Sequence, residues 1–242
     1  MSARPVALVT GAGTRVGQVI AFGLAMKGRA IAVHYRASRE GAEATVRRIE
    51  AAGGQAIALG RDLEQPDGAA ALIDDVLQAF GRLDVLVNSA ANWLRTPFGQ
   101  LTAAQLDASF ATNLRAPLLL SQAAAPHLAE QQGCIINIAD HLAYDTESTT
   151  LAHGVIKGAI DPLTRSLARL LAPDVRVNAV APGVVLLPDD ASTELANRLA
   201  QETPLAALGT PADIADAVCW LADAPYITGE MVHVDGGRHL RR

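Results

Sequence analysis

Cysteine, aromatic rings and surplus basic charge are all scarce in this chain, and each scarcity removes a class of protein. Cys134 and Cys219 are the two cysteines among 242 residues. They belong to no Cys-x-x-Cys or Cys/His spacing, so neither a disulfide framework nor a metal site is expected. They read as buried thiols in a reducing compartment. The formal net charge is -5, without the basic stripe that a phosphate backbone requires, so no nucleic-acid partner is expected. The basic cluster Arg238-His239-Leu240-Arg241-Arg242 is confined to the tail, as a solvated end or an arm reaching a neighbouring subunit. No apolar run approaches the ~20 residues that span a bilayer, and Val6–Val9 is too short for the core of a secretory signal. A cytoplasmic protein with no membrane attachment is the expectation. Pro/Ser-rich linkers, low-complexity tracts and internal repeats are missing as well, which makes residues 1–242 one domain.

What is abundant is small and aliphatic. Half the residues are hydrophobic while aromatics supply 4%, a balance suited to strands covered by helices on both faces. Short β-rich runs recur at Val6–Thr10, Ala30–Tyr35, Gln55–Leu59, Val85–Asn88, Cys134–Ile138, Val175–Val180 and Met231–Val234. Helical patterns lie between them at Gly41–Ala52, Ala69–Phe80, Leu101–Glu130 and Leu151–Leu171. The alternation predicts an α/β fold, a Rossmann-type doubly wound parallel sheet in three layers. Residues 183–210, most clearly Gly183–Pro204, break the rhythm and read as an irregular flap beside a site.

The first strand runs into Thr10-Gly11-Ala12-Gly13-Thr14-Arg15-Val16-Gly17, followed by an amphipathic helix. Glycines there allow a tight turn and let backbone N–H groups approach a pyrophosphate at a helix N-terminus. The second strand ends His34-Tyr35-Arg36-Ala37-Ser38-Arg39. No acid stands there to bond a ribose 2′-hydroxyl, while Arg36, Ser38 and Arg39 suit a 2′-phosphate. NADP(H) is therefore the expected cofactor, in preference to NAD(H).

Further features follow in order: Asp62-Leu63 after the third strand, Asn88-Ser89-Ala90 after the fourth, Asn113 in Thr112-Asn113-Leu114, and Pro182-Gly183 after the sixth. With the glycine turn they make the chain resemble the short-chain dehydrogenase/reductase family over nearly its whole length. The resemblance implies that Asp62 contacts adenine, that Asn88 and Ala90 line the cofactor together with Tyr35 and Leu63, and that Asn113 supports a catalytic water. Pro182-Gly183 would flank the nicotinamide. Arg15 replaces a glycine of the usual turn, Trp93 follows the Asn88 motif, and Asp140 stands at the position of the family's catalytic serine. These details resemble the pteridine reductase branch, especially dihydromonapterin reductases (alternative dihydrofolate reductases). They imply a small pteridine substrate held by Trp93 and Arg15, and a homotetramer.

The family's Tyr-x-x-x-Lys signature departs here to His153-Gly154-Val155-Ile156-Lys157. The spacing places His153 and Lys157 on one helix face. Protonated imidazole is a competent acid, so the expected roles are Asp140 as principal acid, His153 as auxiliary donor or orienting group, and Lys157 as ribose anchor. Tyr144 is a further candidate for the missing hydroxyl. Pro162 and Gly154 are expected to kink or weaken the helix. An NADPH-dependent pteridine reductase is the leading expectation. A carbonyl reductase or alcohol dehydrogenase of the same fold, and a non-catalytic NADP(H)-binding protein, stay open.

Overall fold

The computed structural model describes residues 4–144, 149–188 and 190–240. Its centre is a seven-stranded sheet: β1 (Val6–Val9), β2 (Ala30–Tyr35), β3 (Gln55–Gly60), β4 (Val85–Asn88), β5 (Cys134–Ile138), β6 (Arg176–Pro182) and β7 (Met231–Val234). The spatial order is β3-β2-β1-β4-β5-β6-β7, and every pairing is parallel. All seven expected strands are present.

The aliphatic runs carry no polar alternation because both sheet faces are buried. In β1, Ala7 and Val9 point into one core, and Val6 and Leu8 into the other. The first core is covered by α1 (Arg15–Met26), α2 (Arg39–Ala51) and α9 (Pro211–Asp223). The second is covered by α3 (Gly68–Phe80), α5 (Ala116–Ala129) and α7 (Ile160–Leu171). Three layers result.

Strand order reverses between β1 and β4, so the chain leaves these two strands in opposite directions. The crevice at their carboxyl ends is where open α/β sheets bind ligands. Thr10 closes the floor of that crevice. Its hydroxyl donates to the Val87 carbonyl at 3.3 Å and accepts from the Ser89 and Ala90 N–H groups, both at 2.9 Å.

Two expected long helices are each divided. The stretch Leu101–Glu130 contains α4 (Ala103–Phe110), a π-helical turn over Ala111–Arg115, and then α5. Thr102 and Gln105 start α4 with a capping box. Pro117 has no N–H for the Asn113 carbonyl, and the Ala116 N–H reaches back to Ala111 instead, which widens the helix at Asn113. The stretch Leu151–Leu171 divides into α6 (Leu151–Gly158) and α7. The division falls at Ala159, not at Pro162 itself, because Pro162 then occupies the first turn of α7, where a missing N–H is tolerated. The expected flap also contains a helix, α8 (Thr193–Gln201), whose N-cap Ser192 accepts from the Leu195 N–H. Among the described residues, no helix is long and apolar enough to cross a membrane.

Candidate active site

Asp140 follows β5 and N-caps a 3-10 turn, His141–Ala143, accepting the Leu142 N–H at 2.9 Å. Helix α6 packs on this turn, and Gly154 lets it do so. A Cβ at Gly154 would lie 2.6 Å from the Leu142 carbonyl oxygen. The glycine that weakens the helix in isolation thus permits the approach that brings His153 to Asp140. His153 Nε2 lies 3.3 Å from Asp140 Oδ2. On the other side, His141 Nδ1 lies 3.1 Å from Asp140 Oδ1 and 3.3 Å from the Pro182 carbonyl. One carboxylate therefore sits between two imidazoles.

This arrangement decides the protonation of Asp140. Burial pushes its carboxyl up, but hydrogen bonds from His141, His153 and the Leu142 N–H overcome burial and hold it well below the usual carboxylate range. An ionised carboxylate accepts protons' hydrogen bonds and fixes tautomers. In that state it is a poor proton donor. His153 is 2% exposed, and its Nδ1 has no hydrogen-bond partner among the described residues. Lys157, one turn on, donates to the Ile138 carbonyl at 2.7 Å. Burial lowers its pKa to about 8, against the opposing pull of Asp140.

Asn113 is fully buried in the π turn. Its amide donates to the Asn92 carbonyl at 3.0 Å and Asn92 Oδ1 at 2.8 Å, while its oxygen accepts from the Asn92 N–H at 3.2 Å. It pins the loop after β4. Asn88 donates to Asn137 Oδ1 at 2.8 Å across the β4–β5 pair, and Asn137 passes the chain to Thr164 at 3.0 Å. Asn92, Asn137 and His141 escaped the sequence reading. Only the adjacency of His141 to Asp140 was a signal within the chain.

The glycine turn packs closely at the end of β1. Gly11 has φ +66°, and a Cβ there would lie 2.8 Å from Ala90 Cα, so the turn and the Asn88-Ser89-Ala90 segment close on each other. Arg15 keeps a left-handed φ of 55°, a conformation that costs a non-glycine residue ~1–2 kcal/mol. Thr14 and Arg15 are exposed, Val16 is half-buried and Gly17 is buried. Ser38 lies against Gly13, and the Tyr35 ring lies over Gly60. Arg36 is paired with Glu64, and Arg39 with Glu43 at 2.8 Å. The sequence had not brought Glu64 to the end of β2. Asp62 accepts the Glu64 N–H at 3.0 Å, which lowers its pKa, and Leu63 beside it is buried. Gly183 follows Pro182 and backs onto Asp235.

Trp93, on the loop after β4, is 56% exposed. Two other expected features fall elsewhere. The Tyr144 ring packs against His233 with centroids 5.0 Å apart. Arg238 is folded back into its own chain, buried and bonded to Glu202 at 2.9 Å, because Asp235 gathers the turn around it by accepting from Gly237 and His239. Arg241 and Arg242 lie outside the described residues.

A family model described as enoyl-(acyl carrier protein) reductase matches residues 11–239. The chain is a short-chain dehydrogenase/reductase. An uncharacterized oxidoreductase of Methylorubrum extorquens is 40% identical to it over 240 residues, covering 96% of each protein. The 3-oxoacyl-(acyl-carrier-protein) reductase FabG of Staphylococcus aureus is 37% identical over 240 residues, 97% of this chain and 98% of that protein. Among solved structures, a blue fluorescent protein from a metagenomic library in complex with NADPH superposes with a TM-score of 0.91 at 33% identity, covering 98% of each chain.

Proposed function

We propose that this short-chain dehydrogenase/reductase is an NADP(H)-dependent reductase of carbonyl groups in which His153, oriented by Asp140, supplies the proton. The observation that carries the reading is the His153 ring, which stands in helix register with Lys157 and has Nε2 on the Asp140 carboxylate at 3.3 Å. An ionised Asp140 accepts a hydrogen bond from Nε2 and so orients the ring and fixes its tautomer. When bound, NADPH supplies the hydride. A proton from His153 would complete the alcohol oxygen, and Lys157 would hold the ribose side of the site.

For the cofactor, Gly11, Thr14, Arg15, Val16 and Gly17 would hold the pyrophosphate, and Tyr35, Arg36 and Ser38 the adenosine 2′-phosphate side. Asp62 and Leu63 would meet adenine, and Asn88, Ala90, Pro182 and Gly183 the nicotinamide end. The NADPH complex of the metagenomic neighbour supports this choice.

A carbonyl substrate is supported by the Staphylococcus aureus relative, named as a 3-oxoacyl-(acyl-carrier-protein) reductase. The relatives reported above give no such support to a pteridine. A pteridine would take the same proton on a ring nitrogen, with Trp93 and Arg15 as its contacts, and so serves as the comparison substrate. Assembly into a homotetramer belongs to the same reading. The part-exposed Leu106, Phe110 and Leu118 on α4 and α5 would supply contact area, and sedimentation measures it.

The test is NADPH oxidation with a 3-oxoacyl thioester, a simple ketone, dihydrobiopterin and dihydrofolate, in wild type and His153→Phe. Ketone reduction that is lost in the variant is the expected result. NADPH binding without turnover of any ketone would refute the reading and leave a binding protein. Turnover of dihydropterins alone would restore the pteridine substrate.

A further inference from the structure

His34, in β2, lies 2% exposed beneath the glycine turn, and both its ring nitrogens are in use. Nδ1 accepts from the Gly11 N–H at 3.2 Å. Nε2 faces the Arg61 carbonyl oxygen at 3.0 Å. A carbonyl oxygen only accepts, so Nε2 carries the proton and Nδ1 the lone pair. One tautomer of neutral imidazole satisfies both bonds. The backbone of the same residue completes the clasp, its carbonyl accepting from the Ala12 N–H at 2.9 Å.

The two ends of this ring belong to two ends of the candidate cofactor site. Gly11 opens the turn that would hold the pyrophosphate. Arg61 immediately precedes Asp62, which would meet adenine, and the Arg61 side chain is turned to Asp75 at 2.6 Å and 2.8 Å. A ring bonded to both fixes the spacing between them. Resting on the NADP(H) reading above, we propose that His34 is a positioning residue that, as neutral imidazole, sets the Gly11 turn against the adenine edge at Asp62.

Protonation would place a second N–H on Nδ1, donor against donor with Gly11. Burial opposes that charge, while the Arg61 carbonyl and the Asp62 carboxylate favour it. Burial prevails and lowers the pKa to about 4. Gly11 and Ala12, on the β1 side, bring no charge.

The experiment measures NADPH affinity, kcat and melting temperature for wild type, His34→Phe and His34→Asn. Phenylalanine keeps the ring and removes both bonds. Asparagine places its Oδ1 where Nδ1 stood and keeps an acceptor for Gly11. The expected result is an NADPH Kd raised about tenfold in His34→Phe, with kcat at saturating NADPH within about twofold of wild type. His34→Asn should return the Kd to within about threefold. His34→Phe binding as tightly as wild type overturns the proposal, as does equal loss in both variants. Should His34→Phe fail to fold, pH decides. The NADP+ Kd of wild type divided by that of His34→Asn is expected to rise as pH falls from about 6 towards about 4. A constant ratio overturns the proposal. A wild type that binds no NADPH removes the cofactor reading itself, a result distinct from either.

Discussion

Replacing Lys157 by methionine should stabilise the fold while abolishing turnover. The ammonium lies 5% exposed with its hydrogen bond on the Ile138 carbonyl, and burial lowers its pKa from 10.5 to about 8. A difference of that size is worth about 3 kcal/mol. The unfolded chain binds the proton more tightly, so the folded state bears the whole penalty below about pH 8. The penalty is relieved as pH rises towards about 10.5. Methionine has similar length and no charge, and gives up a hydrogen bond of about 1 kcal/mol. The net gain at pH 7 is about 2 kcal/mol, or about 4–8 °C in Tm for a chain of this size. Thermal unfolding of cofactor-free wild type and Lys157→Met at about pH 7 and about pH 11 reads this directly. The variant should melt higher at the lower pH and lose its advantage at the higher one. A lower Tm at neutral pH would refute the assignment of a buried, penalised ammonium.

Other outcomes follow from the same geometry. Asp140→Asn should lower kcat by about 10²–10⁴-fold, leaving NADPH affinity unchanged, because the carboxylate that orients His153 and fixes its tautomer is gone; full activity would exclude Asp140 from the chemistry. In wild type the depressed carboxyl of Asp140 contributes stability above about pH 4 that is lost on acidification, so the acid limb of an unfolding curve should flatten in Asp140→Asn. Gly154→Ala should cost activity despite better helix propensity, since the added Cβ drives α6 off the Leu142 carbonyl and His153 away from Asp140; unchanged kcat would contradict this. Arg15→Gly should raise Tm slightly by removing a left-handed side-chain residue, by about 1 kcal/mol, and weaken NADPH or substrate binding. Unchanged affinity would show that the guanidinium touches neither. The Cys134 and Cys219 thiols, pushed up to about 11 by burial, should resist thiol reagents in the native protein at neutral pH, as mass spectrometry can verify.

The sheet was legible in the amino-acid sequence alone. Aliphatic runs of strand length, separated by helical periods, bury both faces as a parallel sheet, and the glycine turn marks the carboxyl end of β1. Local breaks were partly legible too: Pro162 and Gly154 marked α6 and α7, although not the residue where they divide. The side-chain constellation came only from tertiary packing. Asp140, His141 and His153 meet because a 3-10 turn and a helix pack within contact of each other, and their shared protons depend on burial and distance, which residue identity does not encode. The same holds for Glu64 beside Arg36, Asn113 on Asn92, and His34 under Gly11. Each pair comes from separate elements. A side chain's protonation is set by what packs against it, and spacing along the chain cannot report that.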